Sequence, residues 1–328
     1  MKILITGTTG YIGNRLAIAA ATKGYDVNAL VRNLSSQNLP HHPNIHFFKG
    51  DITDPASIAP AIKDCHFVFH AAALTQLWNK DRSVFYKVNV DGTRNMLEAA
   101  LKAAVRKFVF TSSCAVLGPS NGHPVSEDEP RITPFENDYE ISKHCAEELV
   151  KEYAHKGLFA LTVCPPRVYG PGLNTKGNAI NRLIGNAIKS GIAFMPSTSD
   201  ALGNYAFIDD VIDGYFLANY KGARGEKYIL GGENKSYKEF FTVVQNQSDK
   251  KINFFVVPAF LLKSISMLIF SAHYLIGRHT HISPKTINRI SQNRSLNCNK
   301  AIEQLGYRIT PFAEGIRQTI NHLKTKHA

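Results

Sequence analysis

The chain has 328 residues, 44% of them hydrophobic and 20% charged, with 38 Lys and Arg against 26 Asp and Glu for a formal net charge of +12. This composition excludes a disordered or fibrous chain, and the length allows one large domain plus a lobe. The basic balance suits nucleic acid, a membrane surface or an anionic ligand. No helix-turn-helix, zinc-finger or RNA-binding motif accompanies it, so the reading is a basic surface with an anionic cofactor and no nucleic acid.

The chain opens on the apolar run Lys2–Ile5, and no signal or transit segment is expected before it. Five more apolar runs follow: Val27–Val31, Ile45–Phe48, Phe67–Phe69, Phe108–Phe110 and Leu161–Cys164. Helical patterns separate them near Gly13–Lys23, Pro55–Lys63, Ser83–Ala103 and Asp138–Lys156. Continuous apolar runs are what strands covered on both faces require. The rhythm therefore predicts an α/β fold, a Rossmann-type doubly wound parallel sheet.

After Pro165 the rhythm stops. Pro165, Pro166, Gly170, Pro171, Gly172 and Gly177 crowd into one stretch, so the chain is expected to leave the sheet as a loop. Beyond it, Asp209–Tyr220 reads as a helix, Lys227–Leu230 as a short strand and the rest as mainly helical. The expected division is a dinucleotide-binding domain of residues 1–164, to which 204–224 return, and a smaller substrate lobe of 165–203 and 225–328. Residues 254–277 are apolar and about long enough to cross a bilayer, but Pro258, Lys263, His273 and several serines interrupt them. Leu261, Leu262, Ile265, Leu268 and Ile269 recur at helical spacing, which favours a lobe helix, with peripheral membrane contact as the lesser option. The five cysteines form no C-x-x-C pair, as suits a reduced, cytoplasmic compartment, and no metal site is expected.

Gly7, Gly10 and Gly13 stand at the first strand–helix junction in the spacing G-x-x-G-x-x-G. Glycines there let backbone approach a pyrophosphate, and the helix start offers it free N–H groups. The second run ends in Arg32-Asn33 with no acid, 19 residues after Gly13. A guanidinium at that position suits a ribose 2′-phosphate, so NADP(H) is favoured over NAD(H). Asp51 follows the third run, placed to meet an adenine amino group, and the small residues Ala71, Ala72 and Ala73 follow the fourth. His70 reads as a packed strand residue.

Tyr139 and Lys143 are four apart on an expected helix and share a face. A neighbouring ammonium stabilises a phenolate, so Tyr139 reads as a general acid for carbonyl reduction, with Lys143 tuning it and holding a ribose. Strand parity leaves Thr111 or Ser113 to polarise the substrate oxygen.

These residues resemble the extended short-chain dehydrogenase/reductases, the NAD-dependent epimerase/dehydratase family, over nearly the whole chain. The motifs are Thr6–Gly13, Gly50–Asp54, His70–Ala73, Val88–Thr93, Thr111-Ser112-Ser113 through Gly118, Tyr139–Lys143, Pro165–Gly172 and Phe207–Val211. The resemblance implies Ser113, Tyr139 and Lys143 as the catalytic set. It implies cofactor contacts from Gly7, Thr9, Gly10, Tyr11, Ile12, Gly13, Asp51, Ile52, Ala71, Ala72, Ala73, Tyr139 and Lys143, and from Pro165 and Val168 in the loop. Within the family the chain looks most like the dihydroflavonol-4-reductase-like and 3β-hydroxysteroid-dehydrogenase-like branch. Nucleotide-sugar epimerases often carry an Arg before the Val-Asp-Asp stretch; here Gly203-Asn204-Tyr205 stands instead.

The expected function is an NADP(H)-dependent reductase acting on a ketone or aldehyde of a small, apolar substrate, with Phe254, Phe255, Phe260 and Leu261 as its apolar surroundings. A nucleotide-sugar epimerase or dehydratase with tightly bound NAD is the alternative. A non-catalytic dinucleotide-binding redox sensor is a third. A homodimer is the assembly the family would imply.

Overall fold

The computed structural model describes residues 1–76, 78–175, 177–275 and 288–325. Seven parallel strands form the central sheet: β1 (Lys2–Thr6), β2 (Asp26–Val31), β3 (Ile45–Lys49), β4 (Phe67–His70), β5 (Lys107–Thr111), β6 (Ala160–Cys164) and the late β10 (Lys227–Ile229). Their order is β10-β6-β5-β4-β1-β2-β3. The chain runs outward from β1 to β3, then restarts on the other side of β1 at β4. Ligands of doubly wound sheets bind at such a reversal, outside the strand C-termini.

Helices α1 (Tyr11–Thr22) and α7 (Ile208–Lys221) cover one face of the sheet. Helices α2 (Pro55–Ile62), α4 (Gly92–Lys102) and α5 (Asp138–His155) cover the other. The fully buried Ile3, Ile5, Phe69 and Val109 pack toward α1 and α7, while Leu4, Val68, Phe108 and Phe110 pack toward α2, α4 and α5. Both faces being apolar, the strands read as continuous runs rather than alternations.

The expected helix Ser83–Ala103 is built in three pieces: α3 (Ser83–Tyr86), a π-helical turn at Lys87–Asp91, and α4. The wide turn places Asn89 inward. Its amide donates to the Leu74 carbonyl at 3.1 Å and to Ser142 Oγ at 2.9 Å, and its oxygen accepts the Leu74 N–H. The loop leaving β4 is thereby tied to α5. Such bulges concentrate at functional sites.

The lobe adds short strands to the expected helices. A three-stranded sheet, ordered β11-β9-β7, comprises β7 (Arg167–Tyr169), β9 (Leu202–Phe207) and β11 (Glu233–Ser236). A parallel pair joins β8 (Ile192–Pro196) to β12 (Asn253–Val257). Helices α6 (Ala179–Ser190), α8 (Tyr237–Ser248), α9 (Ala259–Leu275) and α10 (Phe312–Thr325) complete it. Tyr169, Tyr205, Phe240 and Phe312 form its aromatic centre. Lys227–Ile229, expected in the lobe, pairs with β6 instead, and Asn204–Phe207, expected in the first domain, lies in the lobe sheet.

The apolar stretch 254–277 is not one helix. Phe254–Val257 lies in β12, the helix starts only at Ala259, and residues 276 and 277 lie outside the described residues. Leu261, Ile265 and Leu268 are exposed. Phe254 packs on Phe241 in the lobe, while Phe255, Phe260 and Leu261 lie on the surface, so these four do not gather as one apolar wall. Among the described residues no helix is long and apolar enough to cross a membrane.

Candidate active site

The reversal point is built from backbone. After Thr6 the chain turns through Gly7 at φ +76°, where a Cβ would stand 2.7 Å from the Ala71 carbonyl and the Ala72 nitrogen. Only glycine lets the exits of β1 and β4 lie this close. The Gly10 N–H donates to the Gly7 carbonyl at 2.9 Å, and Gly13 packs directly on that peptide. Helix α1 begins with Gly10 as its cap, without a capping side chain or an acid in its first turn. The first intrahelical bond is Asn14 N–H to the Gly10 carbonyl, so the N–H groups ahead of it have no partner within the helix. A cradle of this kind fits a pyrophosphate.

The other expected cofactor residues border it. Thr9 and Ile12 are half-buried beside the turn. The Tyr11 hydroxyl donates to the Gly170 carbonyl at 2.7 Å and its ring packs on Gly172, so this side chain ties the first loop to the loop after β6. That loop starts at Pro165, whose carbonyl accepts the Cys114 N–H, and continues through the half-buried Val168 on β7. Arg32 leaves the end of β2 exposed, with no ion-pair partner among the described residues. One oxygen of Asp51 accepts the Thr53 N–H and hydroxyl at 2.9 Å, and Ile52 packs on Gly92. Ala71, Ala72 and Ala73 are half-buried along the exit of β4.

His70 is a packed strand residue. The Thr6 hydroxyl faces Nδ1 at 2.8 Å and Thr93 faces Nε2 at 3.2 Å. Thr93 gives its own proton to the Asn89 carbonyl, so Nε2 is the donor. Burial, helped by Lys143, pushes its pKa down from 6.5 to about 3.

The chemical end is assembled where β5 meets α5. Consecutive residues at the strand end face opposite ways. The Ser112 hydroxyl donates to Glu147 beneath the site, whereas Ser113 lies on the Tyr139 side and lowers the Tyr139 pKa. Thr111, the other residue of that parity, is bonded to the Tyr215 hydroxyl at 2.7 Å under α7. Ser113 also caps the short 3-10 turn Cys114–Leu117 through the Ala115 N–H.

Asn137 caps α5 by accepting the Glu140 N–H at 2.9 Å, which fixes the helix start two residues before Tyr139. Tyr139 and Lys143 are both buried on one face. Lys143 Nζ donates to the Thr111 carbonyl and lies 4.0 Å above the Phe110 ring. Burial lowers the Lys143 pKa from 10.5 to about 7, against the opposing charge of Glu147.

Burial also raises the Tyr139 pKa, while the Ser113 hydrogen bond and the Arg289 charge lower it. Arg289 of the lobe is one cation that acts on the phenol, beside the Lys143 that the sequence pointed to. Sequence spacing gave no signal for Arg289, since 150 residues separate it from Tyr139. Arg289 lies 3.6 Å from Glu140, which is fully buried and also paired with Arg131 at 2.9 Å.

The arrangement can place a reducing cofactor along the β1–β4 reversal with the Ser113 and Tyr139 hydroxyls at its end. Residues 3–231 match the model of the NAD dependent epimerase/dehydratase family. A putative dihydroflavonol 4-reductase of Synechocystis is 30% identical over 313 residues, covering 92% of this chain and 88% of that one. A 3-beta-hydroxysteroid dehydrogenase of Mycolicibacterium neoaurum is 26% identical, covering 93% and 86%. The fold matches that of UDP-glucose 4-epimerase from Thermus thermophilus in complex with NAD, at a TM-score of 0.79, 22% identity and 99% coverage of both chains. Matched over most of its length by the family model, the chain belongs to the NAD dependent epimerase/dehydratase family.

Proposed function

We propose that the chain is an NADP(H)-dependent reductase of a ketone or aldehyde on a small apolar substrate. The observation that carries this reading is that Ser113 at the end of β5 stands beside Tyr139 and the buried Lys143 on α5, next to the glycine turn at the start of α1. When bound, the cofactor supplies hydride to the carbonyl carbon. Tyr139 gives its proton to the carbonyl oxygen, and Ser113 donates a hydrogen bond to that oxygen as charge builds on it. Lys143, held by the Thr111 carbonyl, would bind the nicotinamide ribose. The N–H groups at the start of α1 hold the pyrophosphate, Arg32 the 2′-phosphate, and the free oxygen of Asp51 the adenine edge. The relatives named for a dihydroflavonol and a 3-beta-hydroxysteroid support an apolar ring substrate. The five free cysteines support a cytoplasmic enzyme, and the family a homodimer. Replacing Tyr139 by Phe should abolish turnover and leave dinucleotide affinity within about two-fold, because the phenol touches the reacting oxygen and not the cradle. Surviving turnover in that variant would remove Tyr139 from the mechanism.

One observation favours the sugar-nucleotide alternative. The Arg167 guanidinium occupies the space that a side chain at Gly203 would fill, its carbon 2.6 Å from the Cβ position. A cation thus stands near the place where epimerases carry an arginine, held by the Tyr205 hydroxyl at 2.8 Å. NAD that survives purification, together with epimerisation of a sugar nucleotide, would establish that alternative.

A further inference from the structure

Lys143 is 1% exposed, and no carboxylate among the described residues touches it. Its contacts are the Thr111 carbonyl and the Phe110 ring, both on β5. The titratable groups around it are neutral with one exception. His70 on β4 is held neutral by burial. The Cys164 thiol on β6 is raised well above its ordinary range, and Tyr215 on α7 and Tyr139 on α5 are raised too. The exception is Glu147, 2% exposed and one helical turn beyond Lys143 on α5.

Glu147 is fixed from three sides. The Ser112 hydroxyl donates to Oε1, Cys164 Sγ lies 3.7 Å from the same oxygen, and Lys227 Nζ on the edge strand β10 lies 3.3 Å from Oε2. The mechanism above uses none of these groups. Glu147 is thus a buried carboxylate, paired with Lys227, held beneath the site.

We infer that Glu147 is a positioning residue that keeps Lys143 charged, and that Lys227 sets how much of the Glu147 charge Lys143 feels. Burial works against the ammonium, and Glu147 is the only carboxylate among the described residues whose charge works for it. Lys227 competes for that charge from the far side. Ser112 holds Glu147 from the same strand end that carries Ser113. Lys143 thus sits between a cost of desolvation and a shared counter-charge, which places its titration near neutral pH. The inference rests on the role proposed for Lys143, but its test does not.

The test is a pH titration of the full-length protein carrying 13C-lysine, without cofactor or substrate. The Lys143 signal is assigned by its loss in Lys143→Arg. Glu147→Gln, which keeps a hydrogen-bond acceptor for Ser112, should move the Lys143 midpoint down by about one unit, the ordinary effect of one nearby charge. Lys227→Met should move it up, because Glu147 then faces Lys143 alone. Opposite shifts are the signature of shared charge; loosened packing would move both variants the same way. Shifts in one direction, or an unmoved midpoint in Lys227→Met, overturn the inference, and the second variant decides the matter even if Glu147→Gln fails to fold. Failure of the reductase reading would leave both shifts in place, so the two outcomes separate.

Discussion

Replacing Gly13 by Ala should disable dinucleotide binding while the fold survives. A Cβ at Gly13 would stand 2.6 Å from the Gly7 carbonyl carbon, nearer still to its oxygen, and 3.1 Å from the Thr8 nitrogen. These are backbone atoms of a turn pinned between β1 and β4, so they cannot swing aside. Restoring ordinary contact requires the start of α1 to retreat by about 1 Å, which stretches hydrogen bonds past their useful range. Losing two charge-assisted bonds to a pyrophosphate, at about 1.5–3 kcal/mol each, weakens binding by at least about 100-fold. The overpacking itself costs about 1–3 kcal/mol of stability, a fall in Tm of a few degrees. Titration of NADPH fluorescence, with a thermal melt of the variant, gives both numbers. A folded Gly13→Ala protein that binds within about three-fold of the native chain would refute the cradle.

Two further predictions concern titration. The His70 pKa is lowered to about 3 from an unfolded 6.5, so only the unfolded chain takes up its proton at mildly acidic pH. This contribution to stability is fully present above 6.5 and is lost as pH falls toward 3, the loss amounting to about 2 kcal/mol at pH 5. Urea unfolding across that range should show the loss, and His70→Gln should flatten the slope; an equally steep slope in the variant would assign the loss to other groups. Arg289→Gln removes the lobe cation that lowers the Tyr139 pKa, so the acidic limb of alcohol oxidation should move to higher pH. An unmoved limb would show that Arg289 does not govern the phenol.

The parts of this fold legible in the sequence are those where local pattern and burial agree. The six early apolar runs became six strands, with ends within a residue or two, because both faces of the sheet are covered. The lobe strands were not legible. Glu233–Ser236 is polar and four residues long, and it pairs only through contacts distant in sequence. Phe254–Val257 reads equally well as helix when periodicity is the only guide. The π turn at Lys87–Asp91 was hidden because its cause, the Asn89 bonds to Leu74 and Ser142, is tertiary. In the site, the glycine turn and Tyr139 with Lys143 were visible because each is a local motif. Asn89, Glu147 and Arg289 were not, since each acts across elements.

The cofactor assignment rests on Arg32, and the most direct test is titration of NADPH against NADH on the native chain and on Arg32→Ala. The account predicts a preference for NADPH that collapses in the variant, with NADH binding nearly unchanged. Equal binding of both by the native chain, or NAD that co-purifies with it, would contradict the NADP(H)-reductase reading and favour the sugar-nucleotide alternative.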